Sequence, residues 1–433
     1  MCVIDCLYVM KFIDKVYWFF WFRFLRHLFR GYFVKKQNNL LQELKTRDEI
    51  VVVFFAMSLP MWRYQRLYEA MKNHSLFRPY IVLTPRISYA KEQQKKDMDK
   101  LREYFTRLHV PFIDFDVDGG KPINIRKTLK PDILFYPQPY DRAFTPIHDC
   151  SFFYDKLLAY YPYAFWSASG EWSYDTFFHN IAWKLFYSTE LHRQEAESIA
   201  SNKGVNVAVT GYPNADNFLY TPHKDVWKPQ PHKVKRIVWA PHFTISKERS
   251  IVTHSNFLWM ADFMLDIARE YKDKIQIAFK PHPSLLTELY LHPEWGKART
   301  DAYYATWRDM DNGQLDEGEF KDLFMTSDAI IHDCGSFSIE YHYSLKPAMY
   351  VSQDLKAYTD TLSEFGRMAV NLHYQATNRE DILHFIEHNV LGEEDSMLLA
   401  RQEFYNKYLL PPGGKSVVEN TLSDILHSLG REG

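Results

Sequence analysis

The chain has 433 residues, a formal net charge of −2 and four scattered cysteines, Cys2, Cys6, Cys150 and Cys334. That length suffices for two domains with separate cores, and the near-neutral charge argues against a broad nucleic-acid-binding surface. An aromatic content of 29 Tyr, 32 Phe and 11 Trp excludes a disordered chain, and the cysteine spacing fits neither a zinc site nor a disulfide framework, so a reducing compartment is the simplest setting.

The first segment, Val3 to Phe33, is dense in Phe and Trp, with Lys11, Lys15, Arg23, Arg26 and Arg30 among them. Its longest uncharged run, Val16 to Phe22, is too short to span a bilayer and lacks the apolar core and cleavage site of a secretory signal. Aromatic bulk beside Lys and Arg fits a helix lying in the interface of an anionic membrane. Residues 1–34 are therefore expected to be an amphipathic membrane-interface helix, followed by a polar stretch, Lys35–Asp48.

Ile50–Ala56 has the uninterrupted apolar character of a buried parallel strand. Pro60 to Lys72 reads as an amphipathic helix, Tyr80–Leu83 as a strand, Ile87 to Leu108 as a long charged helix and Val110–Asp116 as a third strand. Ile133–Tyr136, Tyr161–Trp166 and Trp183–Tyr187 continue the alternation, which predicts an α/β doubly wound sheet. A connector rich in Pro, His and Lys, Tyr220 to Lys233, marks the domain boundary. Beyond it Arg236–Ala240, Ile275–Phe279 and Ala329-Ile330-Ile331 are strand-like, with a long helix over Asn256–Tyr271 and a helical tail. The expected organisation is 1–34, a first domain over 48–220, a second over 234–410, and a last helix within 411–433.

In the second domain the polar residues follow predicted strands. Pro241-His242-Phe243-Thr244 comes after Val238-Trp239, Lys280-Pro281-His282-Pro283 after Ala278-Phe279, and Asp333-Cys334-Gly335-Ser336 after Ile330-Ile331. In a parallel sheet these ends share one edge, where ligands bind. Lys280, His242, His282, Ser336 and Glu340 are expected to converge there. Ser336 is placed to cap a helix carrying Phe337, Glu340 and Tyr341, whose N-terminus would hold phosphate, with Glu340 one turn on to meet a ribose hydroxyl. Lys280 and a histidine offset the charge of a nucleotide diphosphate, and histidine moves protons near neutral pH. His332 is expected to hydrogen-bond within the sheet edge and His342 to lie on a helix face. Their spacing with Asp333 matches no common zinc pattern. Neither a metal nor a cofactor is expected.

These motifs, in this order over roughly Arg236 to Val351, resemble the CDP-glycerol glycerophosphotransferase family, the polymerases and primases of teichoic acid. Its patterns run approximately A-P-T, R-x-H-P, D-Y-S-S-x-x-F-D-Y and K-P. Here they stand as Ala240-Pro241-His242, Lys280-Pro281-His282-Pro283, Asp333-Cys334-Gly335-Ser336 with Ile339-Glu340-Tyr341, and Lys346-Pro347. Gly211-Tyr212-Pro213-Asn214-Ala215-Asp216 resembles the family's G-Y-P-R-N-D.

The resemblance implies a GT-B fold, two Rossmann-like domains facing a cleft, and a transferase of glycerol phosphate or a related polyol phosphate from a CDP-linked donor to a hydroxyl acceptor in cell-surface polymer synthesis. A nucleotide-sugar glycosyltransferase for capsule-type glycan, a nucleotide-sugar epimerase or hydrolase and an inactive scaffold are the alternatives. Pro241, His242, Lys280, Asp333, Gly335, Ser336, Phe337 and Glu340 would contact the donor, and His282 would be catalytic or stabilise phosphate. The expected partners are a nucleotide-linked donor, a polymer or lipid-linked acceptor and the inner face of the cell membrane from the cytoplasmic side. In the family a W-H-G-T-P histidine activates the acceptor. Trp166-Ser167-Ala168-Ser169-Gly170 occupies about that place without a histidine, leaving His179, or else Glu171 or Asp175, for the role.

Overall fold

The computed structural model describes residues 30–115, 123–140, 143–246 and 255–431. They fall into two compact units. One takes the chain up to Ala164, then Gly170–Asn214 and everything from Pro411 on; the other takes Phe165–Ser169 and Ala215–Leu410.

The first unit is built on β1 (Ile50–Ala56), β2 (Phe77–Leu83), β3 (Ile133–Tyr136), β4 (Leu157–Tyr160), β5 (Lys184–Tyr187) and β6 (Val207–Val209). All pair in parallel, in the order β2-β1-β3-β4-β5-β6. A parallel strand covered on both faces must be apolar on both; β3 and β4 are accordingly buried at every position. The expected strand at Val110–Asp116 is reduced, within its described part, to a single bridge between Val82 and Ile113. Pro111 has no N–H for a ladder, and the Asp114 carboxylate takes the Phe115 N–H at 2.7 Å. The strand expected at Tyr161–Trp166 lies earlier, at β4, because Pro162 cannot extend it.

The membrane-interface expectation for 1–34 falls largely outside the described residues. From Arg30 the chain is a helix to Leu44, where a polar stretch was expected from Lys35 on. Phe33, Gln37, Leu40 and Leu44 are its buried residues, at a spacing that keeps one helical face inward. Phe33 packs on Tyr154 and Phe177 at ring distances of 5.6 and 5.9 Å. Gln37 Nε2 donates to the Ile181 carbonyl at 2.8 Å. Burying Phe33, Leu40 and Leu44 contributes about 1.5–3 kcal/mol each.

The last helix, Val417–Ser428, belongs to this first unit. A capping box of Ser416 and Glu419 starts it, Thr421 hydrogen-bonds to Tyr161, and Asp424 pairs with Lys184 at 2.8 Å. Gly211, at φ +103°, lies under it; a Cβ there would stand 2.9 Å from Val417. Both the left-handed backbone and the close approach call for glycine.

The second unit carries β7 (Lys235–Ala240), β8 (Ile275–Phe279), β9 (Gly313–Leu315), β10 (Ala329–His332), β11 (Ala348–Val351) and β12 (Tyr374–Ala376). They form a parallel sheet in the order β9-β8-β7-β10-β11-β12. Numbered from β7, that is the doubly wound order 3-2-1-4-5-6, whose strand order reverses between β7 and β10. One face of the sheet packs on the helix Phe257–Glu270 through Trp239, Phe257, Phe279 and Trp307, with Trp239 4.9 Å from Phe279 and 5.9 Å from Phe257 by ring centroid.

Candidate functional site

The three motif turns leave neighbouring strands. Pro241-His242 follows β7, Lys280-Pro281-His282 follows β8, and Asp333 to Ser336 follows β10, so all three lie at the carboxyl edge around the reversal point. His282 N–H donates to the Pro241 carbonyl at 3.1 Å, joining the first two turns. Asp333 joins the first and third. Its Oδ1 accepts the His242 N–H at 2.6 Å, and its Oδ2 accepts the Asn256 N–H at 2.5 Å. Burial raises this carboxyl to about 6 against the pull of those donors. Asp333, 2% exposed, is therefore the internal tie of the site.

Three rings meet at this edge. Phe243 packs against both imidazoles, 4.4 Å from His242 and 4.5 Å from His282, and the two histidines are 5.0 Å apart. His282 Nδ1 accepts the Ser284 N–H at 3.1 Å, which leaves the ring proton on Nε2. Burial lowers its pKa to about 4, so the ring is neutral near pH 7. A neutral imidazole with Nε2–H is a hydrogen-bond donor suited to a phosphate oxygen. Phe243 was not among the expected contacts. Its one signal in the sequence is its place in the turn after β7.

Lys280 is buried and turned inward. Its Nζ meets Asp316 Oδ1 at 2.8 Å and the Gly318 carbonyl at 2.7 Å. Asp316, 36 residues along the chain, was not foreseen. Ser336 does not cap the helix as expected: its backbone is already helical and its side chain makes no capping bond. Phe337 begins a short helix to Glu340 and packs on Phe324 and Phe320, 4.8 and 5.3 Å away, as part of an apolar cluster. Glu340 is 2% exposed. The half-buried groups at the edge are His242, Phe243, His282, Gly335, Ser336 and Phe337.

The segment Phe165–Ser169 reaches the same turn. Ser167 Oγ lies 3.9 Å from where a Cβ on Gly335 would stand. The Ser167 carbonyl accepts the Ser363 N–H at 2.8 Å and Ser363 Oγ at 3.1 Å, Ala168 bridges Leu362, and Phe165 stacks on Phe365 at 5.1 Å. Of the first-unit candidates, His179 is buried at 1% exposure within the helix Phe177–Ile181. Its Nδ1 accepts the Thr176 N–H at 3.2 Å in a capping box, and burial lowers its pKa to about 3. Asp175 is held by Asn180 and Ser201. Glu171 stands exposed at the start of the helix Glu171–Tyr174.

The family model described as CDP-glycerol:poly(glycerophosphate) glycerophosphotransferase matches residues 180–416. Among curated proteins none matches. Among solved structures, a variant of the wall teichoic acid polymerase TagF is similar over 92% of this chain and 95% of its own, with 12% identity and a TM-score of 0.59. A UDP-N-acetylglucosamine 2-epimerase from Listeria monocytogenes, described as putative, is similar over 88% and 96%, with 15% identity and a TM-score of 0.57. The same enzyme from Neisseria meningitidis, solved with UDP-GlcNAc bound, is similar over 88% and 100%, with 14% identity and a TM-score of 0.54. At these identities the likeness is one of fold. The two parallel six-stranded sheets with their helices are of the GT-B type.

Proposed function

We infer that this chain, which belongs to the CDP-glycerol:poly(glycerophosphate) glycerophosphotransferase family, binds its CDP-linked donor at the carboxyl edge between β7 and β10. It is an enzyme of polyol-phosphate transfer in cell-wall polymer synthesis. The observation that carries the donor assignment is the meeting of three post-strand turns at the reversal point of the second sheet. In the reaction an acceptor hydroxyl attacks the β-phosphorus of CDP-glycerol. The bond from that phosphorus to the bridging oxygen breaks, CMP leaves with its electron pair, and the hydroxyl proton passes to a base. His282 Nε2–H donates to a phosphate oxygen as charge builds, acting by electrostatic stabilisation rather than as the base. Phe243 and the two imidazoles, tilted to one another, give the nucleotide a surface lined by rings.

Melting curves with CDP, UDP, GDP and CMP test the donor site. CDP is expected to raise the melting temperature of the wild type, and His282→Ala to abolish CMP release from CDP-glycerol. A shift with UDP alone, together with epimerisation of UDP-N-acetylglucosamine in the absence of any acceptor, would overturn the reading.

The acceptor is a polymer or lipid-linked hydroxyl at the inner face of the cell membrane, and the aromatic, basic composition of the first 29 residues supports interfacial attachment. No helix among the described residues is long and apolar enough to cross a membrane. Deleting residues 1–29 spares Phe33 and its packing, and is expected to move the protein to the soluble fraction. Continued pelleting with membranes rejects the attachment.

A further inference from the structure

Behind the donor turn stand three histidines that the transfer chemistry does not use. His332 ends β10, His342 lies in the 3-10 turn Tyr341–Ser344, and His373 precedes β12. They are 1%, 0% and 1% exposed. The His373 ring is 5.1 Å from His332 and 4.7 Å from His342. Among the described residues no group of three or more His, Cys, Asp or Glu is arranged to hold a metal ion, this one included.

Their hydrogen bonds assign their protons. His332 Nδ1 accepts the Cys334 N–H at 3.2 Å, so its hydrogen sits on Nε2. His342 Nε2 and His373 Nδ1 each lie 3.0 Å from the Ala369 carbonyl and therefore carry hydrogens. What remains is one N–H, on His332 Nε2, and two lone pairs, on His342 Nδ1 and His373 Nε2. These three atoms are buried and have no partner among the described residues. Arg401, fully buried in its ion pair with Asp395, has Nε and Nη1 equally without a partner. Burial chiefly depresses the pKa of both His342 and His373, and the Arg401 charge adds to it. Buried polar atoms left bare are costly. One donor and two acceptors on these adjoining rings match the needs of a single water, which accepts one hydrogen bond and donates two.

We propose that His332, His342 and His373 enclose one buried water and that this node positions the donor turn. It fixes Cys334 N–H from behind through His332, while Asp333 ties the same turn to His242 and Asn256. It also grips Ala369 in the helix Glu364–Val370, whose N-terminal cap Ser363 holds the Ser167 carbonyl. Donor turn and Phe165–Ser169 segment are thus set against one frame. The proposal rests on the donor site lying at this turn.

The test is calorimetric binding of CDP to wild type, His332→Leu, His373→Leu and the double variant, each checked for folding by its melting curve. His373 does not touch the turn, yet His373→Leu is expected to weaken CDP binding roughly tenfold, and the double variant to be no more than about threefold worse than the poorer single, as one coupled node requires. Thr421→Val, in the other unit, supplies a comparable loss of stability and should leave CDP binding unchanged. Wild-type affinity in a folded His373→Leu, or fully additive losses, overturns the proposal. If His373→Leu does not fold, His373→Gln takes its place, with the same weakening expected. A high-resolution crystal structure of the wild type reads the node directly: a water within hydrogen-bond distance of all three nitrogens supports it and an empty space defeats it. Should wild type fail to bind CDP, it is the donor assignment that falls, and the crystallographic arm still decides the node.

Discussion

Lys280 and Asp333 show how a charged residue at the right place in a motif can serve the protein before it serves a ligand. Each sits immediately after a buried strand, the position from which side chains at a sheet edge meet ligands. Each is instead consumed by the turns themselves. Lys280 spends two of its three ammonium hydrogens on Asp316 and Gly318, and stripping one partner from such a buried pair costs about 3–5 kcal/mol. Asp333 satisfies two backbone N–H groups from chain segments 77 and 91 residues away. Among the described residues, the groups left at the edge are weaker ones in electrostatic terms: the neutral imidazole of His282, the His242 ring, a phenyl ring and the small residues Gly335 and Ser336. On the proposed donor reading, such a set of groups favours stacking and directed hydrogen bonds over ion pairing in holding a nucleotide.

At the scale of elements, the docking of Phe165–Ser169 turns on Gly366. Its φ is ordinary, so conformation does not demand glycine there; space does. A Cβ at 366 would stand 2.2 Å from the Ser167 carbonyl oxygen and 2.9 Å from its carbonyl carbon, both backbone atoms. Gly366→Ala must therefore push the segment off the helix Glu364–Val370 and break the two hydrogen bonds from Ser363. The expected cost is about 1–3 kcal/mol of stability, seen as a lower denaturation midpoint, and a loss of transferase activity larger than the midpoint shift explains. Full activity in a folded Gly366→Ala would show that transfer does not depend on how this segment docks. Such a contact is illegible in sequence, because it joins residues 199 positions apart through a missing side chain. The central strands, by contrast, are legible: β1 and β3 are apolar throughout because both their faces are covered, and β10 is apolar up to its last residue, His332. The edge strands β9 and β12, with Gln314 and Gln375 in three-residue runs, carry no such signature. The site follows the same rule. Turns after strands could be read from topology, whereas the partners of Lys280, Asp333 and the three histidines are fixed only by folding.

For the whole molecule, the buried histidines dictate how stability responds to acid. Burial lowers His148, His282 and His342 to about 4 and His179 and His332 to about 3, and puts His373 well below its ordinary value. In the unfolded chain each titrates near 6.5. A depressed folded pKa means stability that is complete above about pH 6.5 and is lost as pH falls toward the folded values, because only the unfolded chain takes up the proton in that window. Asp333 works in the opposite sense. Its carboxyl, raised to about 6 in the fold, binds a proton there before the unfolded chain does, which favours the folded state between pH 6 and about 4. One carboxyl against six imidazoles does not reverse the sign. Each imidazole adds up to about 1.4 kcal/mol of lost stability per pH unit between roughly 6 and 4.5. Urea midpoints are therefore expected to fall steeply from pH 7 to pH 5. Replacing His148, which lies in the first unit outside both the donor turn and the histidine node, by Gln should flatten that slope by close to one proton. A slope unchanged in His148→Gln would mean that this imidazole is not held neutral, and that burial in the first core is looser than its hydrogen bonds to Thr84 and Ile123 indicate.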